Sequence, residues 1–254
     1  MRRSVLNGET TSRQEVLDAS LRLQLVRAKV CDEVVARQPC SGDVAEVFLV
    51  RDRTALKDWL EDQCASSREL VAVTWTRQQS LADYVPSHRF NQELVASGVR
   101  MTSFFDTSEG DPMLTDFLIA AEDMPYHLGY GPIQLKLMDG SRVIVEGPVL
   151  SGHRSLLVLH CTEAVNATNQ YLRAVRRGSV RASELRYDGS GLTPRQRVIA
   201  ALLGDGCTDD DIADQLTLSV RTVRYEVAKL LDALQVKTRF AAGLRYAESA
   251  DRSA

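Results

Sequence analysis

Arg221, Arg224 and Lys229 stand in one short stretch that opens with Ser219. On a helix they make a local basic face. Guanidinium and ammonium groups so placed can donate charge-assisted hydrogen bonds to phosphate or to acceptor atoms at the edge of a groove. The stretch before it carries Asp209, Asp210, Asp211 and Asp214. The two signs are thus segregated onto successive elements, and a basic surface can exist on a domain that is nearly neutral.

Those residues need helices to hold them, and the start signals are legible. Thr193 can cap a helix with Pro194 at its first position and Gln196 reaching back, and Gly206 ends it. Thr208 caps the next helix, with Asp209, Asp210 and Asp211 in the first turn, where the helix dipole favours negative charge. Thr217 and Leu218 make a tight turn, and Ser219 caps a third helix. Two short helices joined by a tight turn, the second longer and basic, describe a helix-turn-helix that offers its second helix to the DNA major groove. Leu202, Leu203, Ile212, Leu216, Val223, Val227, Leu230 and Leu231 are the expected core of this small domain.

The stretch from Leu192 to about Ala247 resembles the LuxR-type DNA-binding domain. The likeness rests on Leu192-Thr193-Pro194-Arg195, Ile212-Ala213, Leu216, Ser219 to Arg224 with Thr222 and Val223, and Lys237-Thr238-Arg239. Gln196, Glu226 and Ala233 depart from the family's usual glutamate, histidine and lysine, and Glu226 on a DNA-facing helix would repel phosphate. The resemblance implies that Ser219, Arg221, Thr222, Arg224, Tyr225 and Lys229 meet DNA, with Lys237 and Thr238 on phosphates. Arg224 and Tyr225 are the candidates for base edges. It also implies that the terminal helix supplies a dimer contact. Capped by Thr238, that helix puts Phe240, Leu244 and Ala247 on one face; the competing role for Phe240 and Leu244 is closing the small domain's own core.

The chain has 254 residues, enough for one or two domains with a sizeable core, and a formal net charge of −3. Its pI near 5.9 is not that of a generally basic nucleic-acid binder. Cys31, Cys40, Cys64, Cys161 and Cys207 are odd in number and scattered, without C-x-x-C spacing, which predicts reduced thiols and a cytoplasmic protein. The opening Met1 to Glu9 is basic but has no apolar core, so no signal peptide is expected, and no apolar run approaches membrane-spanning length.

Residues 12–37 read as one helix with a heptad seam: Val16, Leu23 and Val30 in one row, Ala19 and Val26 in the other. The seam either pairs with a second copy, making 1–42 a dimerisation segment, or lies on its own domain's core. Pro39 to Gly42 breaks the helix. Then come a strand at Val47–Val50, a helix capped by Thr54 with Leu56, Trp59, Leu60 and Cys64 on one side, and a strand at Glu69–Trp75, read together as a β-α-β unit. Helix signals around Phe90 to Ala96 precede a strand at Val99–Phe105 and a helix at Pro112–Ala121. Asp139-Gly140 between two apolar runs is a strong hairpin signal. A last strand at Leu156–His160 and a helix at Glu163–Arg176 complete the pattern. The expectation is an α/β sensor domain over 43–186, a mixed sheet with helices, preceded by a long helix. A linker at 187–191 and a small all-α helix-turn-helix domain over 192–254 follow.

Over roughly Gly42 to Val180 the pattern resembles, more distantly, the phospholipase-D-like sensor of TrmB-type and related regulators. It does so through Asn91-x-Glu93-Leu94 with Gly98-Val99-Arg100, and through Leu135 to Arg142 ahead of an apolar strand. Catalysis in that fold needs paired His-x-Lys-x4-Asp motifs. Neither His88, His127, His153 nor His160 has a lysine two residues on, so no catalytic residue, metal or cofactor is expected. A receiver's acidic pair is replaced by Arg51-Asp52-Arg53 after the first strand. Trp59, Trp75, Tyr84, Phe90, Phe104 and Tyr126 could line an effector pocket, with core packing as the alternative. The sequence thus points to a homodimeric transcription regulator that binds operator DNA, not an enzyme and not bound to membranes. RNA polymerase and a small-molecule effector are candidate partners. The competing readings are a divergent phosphodiesterase with a DNA-binding tail and a ligand-free interaction module.

Overall fold

The computed structural model describes residues 2–37, 45–77, 79–185 and 191–251. The helix break at Pro39 to Gly42 and the first four residues of the 187–191 linker lie outside them. The chain divides into two compact units. The first takes residues 1–75, 90–108 and 127–180, and the second 76–89, 109–126 and 181–254.

The strands are β1 (Ala45–Val50), β2 (Glu69–Trp75), β3 (Arg100–Asp106), β4 (Tyr126–Leu128), β5 (Leu135–Met138), β6 (Arg142–Glu146), β7 (Arg154–Leu159) and β8 (Val180–Arg181), in one sheet of order β1-β7-β6-β5-β2-β3-β4-β8. β2 and β3 are parallel, while β5, β6 and β7 form antiparallel pairs, β5 also with β2 and β7 also with β1. The sheet is mixed, as the sequence suggested. The β-α-β expectation for the first two strands changes: β1 sits at the edge, three strands from β2, because β7, β6 and β5 insert between them.

In the first unit, α1 (Arg2–Arg37) and α5 (Thr162–Arg177) cover one sheet face. Val16, Ala19, Leu23, Val26 and Val30 of α1 are buried with Tyr171 and Val175 of α5 and with Leu135, Leu157 and Leu159 of the sheet. Both rows of the predicted seam are therefore covered within the chain, and the packing they provide is that of a core helix. A self-pairing seam has the same period as a helix lying on a sheet, so sequence spacing alone could not separate them. Among the described side chains, the large apolar residues that α1 leaves exposed are Leu17, Leu21, Leu25 and Val35.

Val47 faces the α1–α5 layer, so Phe48 turns to the opposite face, where its ring stacks on Trp59 of α2 (Arg53–Ala65) at 4.4 Å. Asp52, not Thr54, caps α2, accepting from the Ala55 N–H at 2.8 Å. The β5–β6 turn holds Asp139 at φ 50° and Gly140 at φ 65°, the left-handed pair a two-residue hairpin of this type requires. The Asp139 carboxylate accepts from the backbone N–H groups of Glu69 and Arg68, which keep it below the usual carboxylate range.

The second unit is helical. α3 (Leu81–Ala96) begins nine residues earlier than its strongest sequence signal, because Ser80 and Asp83 exchange hydrogen bonds at its start; Pro86 is accommodated inside it. Its first half contributes Tyr84, Val85 and His88, all buried, and the Tyr84 and His88 rings pack against Phe117 of α4 (Pro112–Ala120). His88 Nδ1 lies 3.0 Å from the Tyr126 hydroxyl, and burial lowers the histidine pKa to about 4. α6 (Pro194–Gly204) joins α4 through Arg197 and Asp116, a nearly buried two-point ion pair. Two segments expected within the α/β domain thus fall in the helical unit, drawn there by the apolar side of α4. The six aromatics proposed for one pocket divide as well: Tyr84 and Tyr126 lie in the second unit, and Trp59, Trp75, Phe90 and Phe104 in the first.

Candidate nucleic-acid interface

The interface is built on α7 (Asp209–Leu216), α8 (Val220–Leu234) and α9 (Arg239–Asp251). The first two, and α6 before them, start where the sequence placed them. Thr193 and Gln196 form a reciprocal capping box on α6, and Thr208 and Asp211 form another on α7. Asp211 is held below the usual carboxylate range by its hydrogen bonds with Thr208. α7 ends at Thr217, a left-handed residue at φ 56°, and Ser219 Oγ then accepts from the Thr222 N–H at 3.1 Å to open α8. Thr222 also shares a 2.8 Å hydrogen bond with Ser219 through their hydroxyls.

Val223, Val227 and Leu230 turn α8 into the core, together with Leu202, Leu203, Ile212 and Leu216; Leu231 is half-buried. The spacing of those apolar residues leaves Arg221, Arg224, Tyr225 and Lys229 exposed. Lys229 lies over the Tyr225 ring, 4.4 Å from its centroid, and Tyr225 as a hydrogen-bond partner holds the ammonium above its usual range. Glu226 is half-buried and so stands less fully towards solvent than these four. Lys237 and Thr238 are exposed before α9, and Thr238 caps it by accepting from the Ala241 N–H at 3.2 Å.

Asp209 is the residue whose role the sequence did not disclose. Its carboxylate, 8 % exposed, receives two hydrogen bonds from Arg239, one of them at 2.9 Å, and a 3.1 Å hydrogen bond from Arg224 Nε. Arg239 first and Arg224 second hold its carboxyl below the usual range. One aspartate therefore ties the start of α7 to α8 and α9. The sequence offered only a third acid in a first turn already served by Asp211; the partners lie 15 and 30 residues away.

On α9, Phe240 and Leu244 are 79 % and 52 % exposed, and Ala247 is exposed beside them. They do not close the small domain's core. Ala242 is buried, and at Gly243 a Cβ would come within 2.7 Å of the Gly204 backbone, so the small residues serve the approach of α9 to α6.

The histidines are not gathered. His88 is in the second unit; His127 is half-buried in the first, and His153 and His160 are exposed there, His160 lying 3.4 Å from Glu46. Among the described residues no group of three or more His, Cys, Asp or Glu is placed to hold a metal ion, and no helix is long and apolar enough to cross a membrane.

Residues 190–244 match the GerE family, described as bacterial regulatory proteins of the luxR family. The three helices of this segment with their caps are similar to a LuxR-type helix-turn-helix. No curated protein sequence matches the chain. Among solved structures, NucT from Helicobacter pylori matches over 54% of this chain and 98% of its own, with 14% identity and a TM-score of 0.40, too low for the two folds to be equated.

Proposed function

We propose that the protein is a sequence-specific, DNA-binding transcription regulator. The observation that carries this reading is the exposed row Arg221, Arg224, Tyr225 and Lys229 on α8, within the segment that matches the luxR family. α8 enters the major groove; Arg224 and Tyr225 read base edges, with Ser219, Arg221, Thr222 and Lys229 beside them, and Lys237 and Thr238 bind phosphate. Two copies bind two half-sites through Phe240, Leu244 and Ala247 of α9. The α/β unit, a non-catalytic sensor of the phospholipase-D-like kind, couples a small molecule or a partner such as RNA polymerase to that contact, in the cytoplasm. The test is selection of bound fragments from genomic DNA by the full-length protein, followed by titration of the enriched sequence. Enrichment of one sequence, lost in Arg221→Ala/Arg224→Ala, supports the reading. Uniform recovery of fragments by wild type and variant overturns it.

A further inference from the structure

We propose that the α/β unit binds a small organic anion, a carboxylate with an apolar body, in a cleft at one end of its sheet, with the Lys136 ammonium as its counter-charge. The proposal stands apart from the DNA-binding reading and needs none of its residues.

The cleft has a volume of about 190 Å³ and lies where β2 and β6 end and β5 and β7 begin. A cavity of roughly 150 Å³ with hydrocarbon walls accepts benzene, so this one has room for a ring and a carboxylate. Trp75, Leu60, Ile144 and Leu156 supply apolar wall. Apolar walls with a few placed polar groups are the usual make-up of a small-molecule site.

Lys136 gives the cleft its sign. Leu135 and Leu137 on either side of it are buried towards the α1–α5 layer, so Lys136 projects from the other sheet face, between Ala72 of β2 and Ile144 of β6. It is half-buried, and among the described residues no carboxylate lies within 4.0 Å of its ammonium. The ammonium is therefore able to take an anion that enters the cleft as its counter-charge. The one acid lining the cleft, Glu146, is paired within the lining: its carboxylate accepts from Arg154 at 2.9 Å and its carbonyl oxygen from Arg27. Arg27 and Lys136 line the cleft beside the Arg154–Glu146 pair, so its lining holds two more cations than carboxylates. Charge and apolar wall together select a carboxylate carried on a hydrocarbon body over a bare inorganic anion.

The test is calorimetric titration of the full-length protein, without DNA and at constant ionic strength, with benzoate, acetate and inorganic phosphate. Benzoate should saturate one site with Kd of about 1 mM or tighter. Lys136→Met should raise that Kd at least tenfold, while Lys29→Met on the surface of α1 leaves it unchanged. Acetate and phosphate should show a weaker Lys136-dependent component. Should Lys136→Met fail to fold, Arg154→Gln, an exposed change, should still weaken benzoate severalfold. A benzoate Kd indifferent to both substitutions, or phosphate binding through Lys136 as tightly as benzoate, overturns the proposal.

Discussion

Asp209 fixes Arg224 from the side: Arg224 Nε donates to Asp209 Oδ2 at 3.1 Å, while Arg239 clamps the same carboxylate with two hydrogen bonds. The arginine is still 67 % exposed. Its two terminal nitrogens make no hydrogen bond among the described residues, so they stay available to an acceptor outside the domain. A guanidinium fixed through Nε loses less freedom on docking and offers its fork in one orientation.

Arg224→Ala should therefore weaken operator binding by ~1–3 kcal/mol and relax base preference at one position. Asp209→Ala should act differently. It removes a negative charge beside the proposed DNA-binding face, so binding to scrambled DNA should hold or rise, while the ratio of specific to nonspecific affinity should fall. Paired anisotropy titrations on operator and scrambled duplexes read both. An unchanged ratio in Asp209→Ala would mean that the aspartate only braces α7 against α9.

Lys237 is exposed just before α9 and makes no ion pair among the described residues. Its expected contact is a phosphate, which carries no sequence information. Lys237→Ala should weaken operator and scrambled DNA alike and reduce the slope of log K against log salt by about one. Titrations at several salt concentrations measure this, and a loss confined to the operator would move Lys237 to the base-reading set.

His88 predicts a pH dependence whose sign is fixed by its burial. Its folded pKa is lowered from 6.5 to about 4 by desolvation. Protonation thus favours the unfolded chain, and stability is full above pH 6.5 and falls as pH drops towards 4. The difference corresponds to roughly 3 kcal/mol at its limit. Asp209 and Asp211 act only lower, because carboxyls with depressed pKa values keep their stabilisation above the ordinary carboxylate range and lose it as pH falls through and below that range. Urea unfolding at pH 7.5 and pH 5 should show the loss in the wild type and a much smaller one in His88→Phe. Equal losses in the two proteins would assign the effect to other groups.

What was legible in the sequence were features closed within a few residues. The caps Thr193, Thr208 and Ser219, the tight turn at Thr217 and Leu218 and the Asp139-Gly140 hairpin each depend on neighbours three or four positions away at most, and each formed as read. What was not legible depends on distance. Leu23 carries the same heptad signal whether its partner is a second copy or Tyr171 of α5, and only the tertiary fold decides. Asp209 and its arginines, β1 at the edge beside β7, and α4 in the helical unit through Asp116 and Arg197 are likewise long-range pairings that no local spacing encodes.

The burial of the α1 seam turns an expected dimerisation effect into a stability effect. Leu23→Ala should destabilise the protein by about 2–5 kcal/mol, the range for truncating a buried leucine. Leu21→Ala, two residues away but exposed, should stay within about 0.5 kcal/mol. Chemical denaturation measures the difference. If Leu23→Ala instead left stability intact and shifted the mass in light scattering towards monomer, α1 would be a subunit contact after all.

Phe240 and Leu244 form the exposed apolar stripe on the helical unit, and α9 reaches the rest of its domain through the other side, where Gly243 lies against Gly204. With the stripe as the proposed dimer contact, substitutions on the two sides of one helix should separate dimerisation from folding. Leu244→Asp places a carboxylate where the side chain already meets water, so circular dichroism of the full-length protein should be unchanged. Cooperative binding to two half-sites about one helical turn apart should be lost, because the charge would have to be buried unpaired at the contact. Gly243→Ala should do the reverse. Its methyl group meets the Gly204 backbone, so α9 must move off α6 and the melting temperature should fall, with the α9 stripe itself untouched. Helical signal lost in Leu244→Asp would falsify the interface role of this face. Full cooperativity retained in that variant would place the dimer contact on another surface.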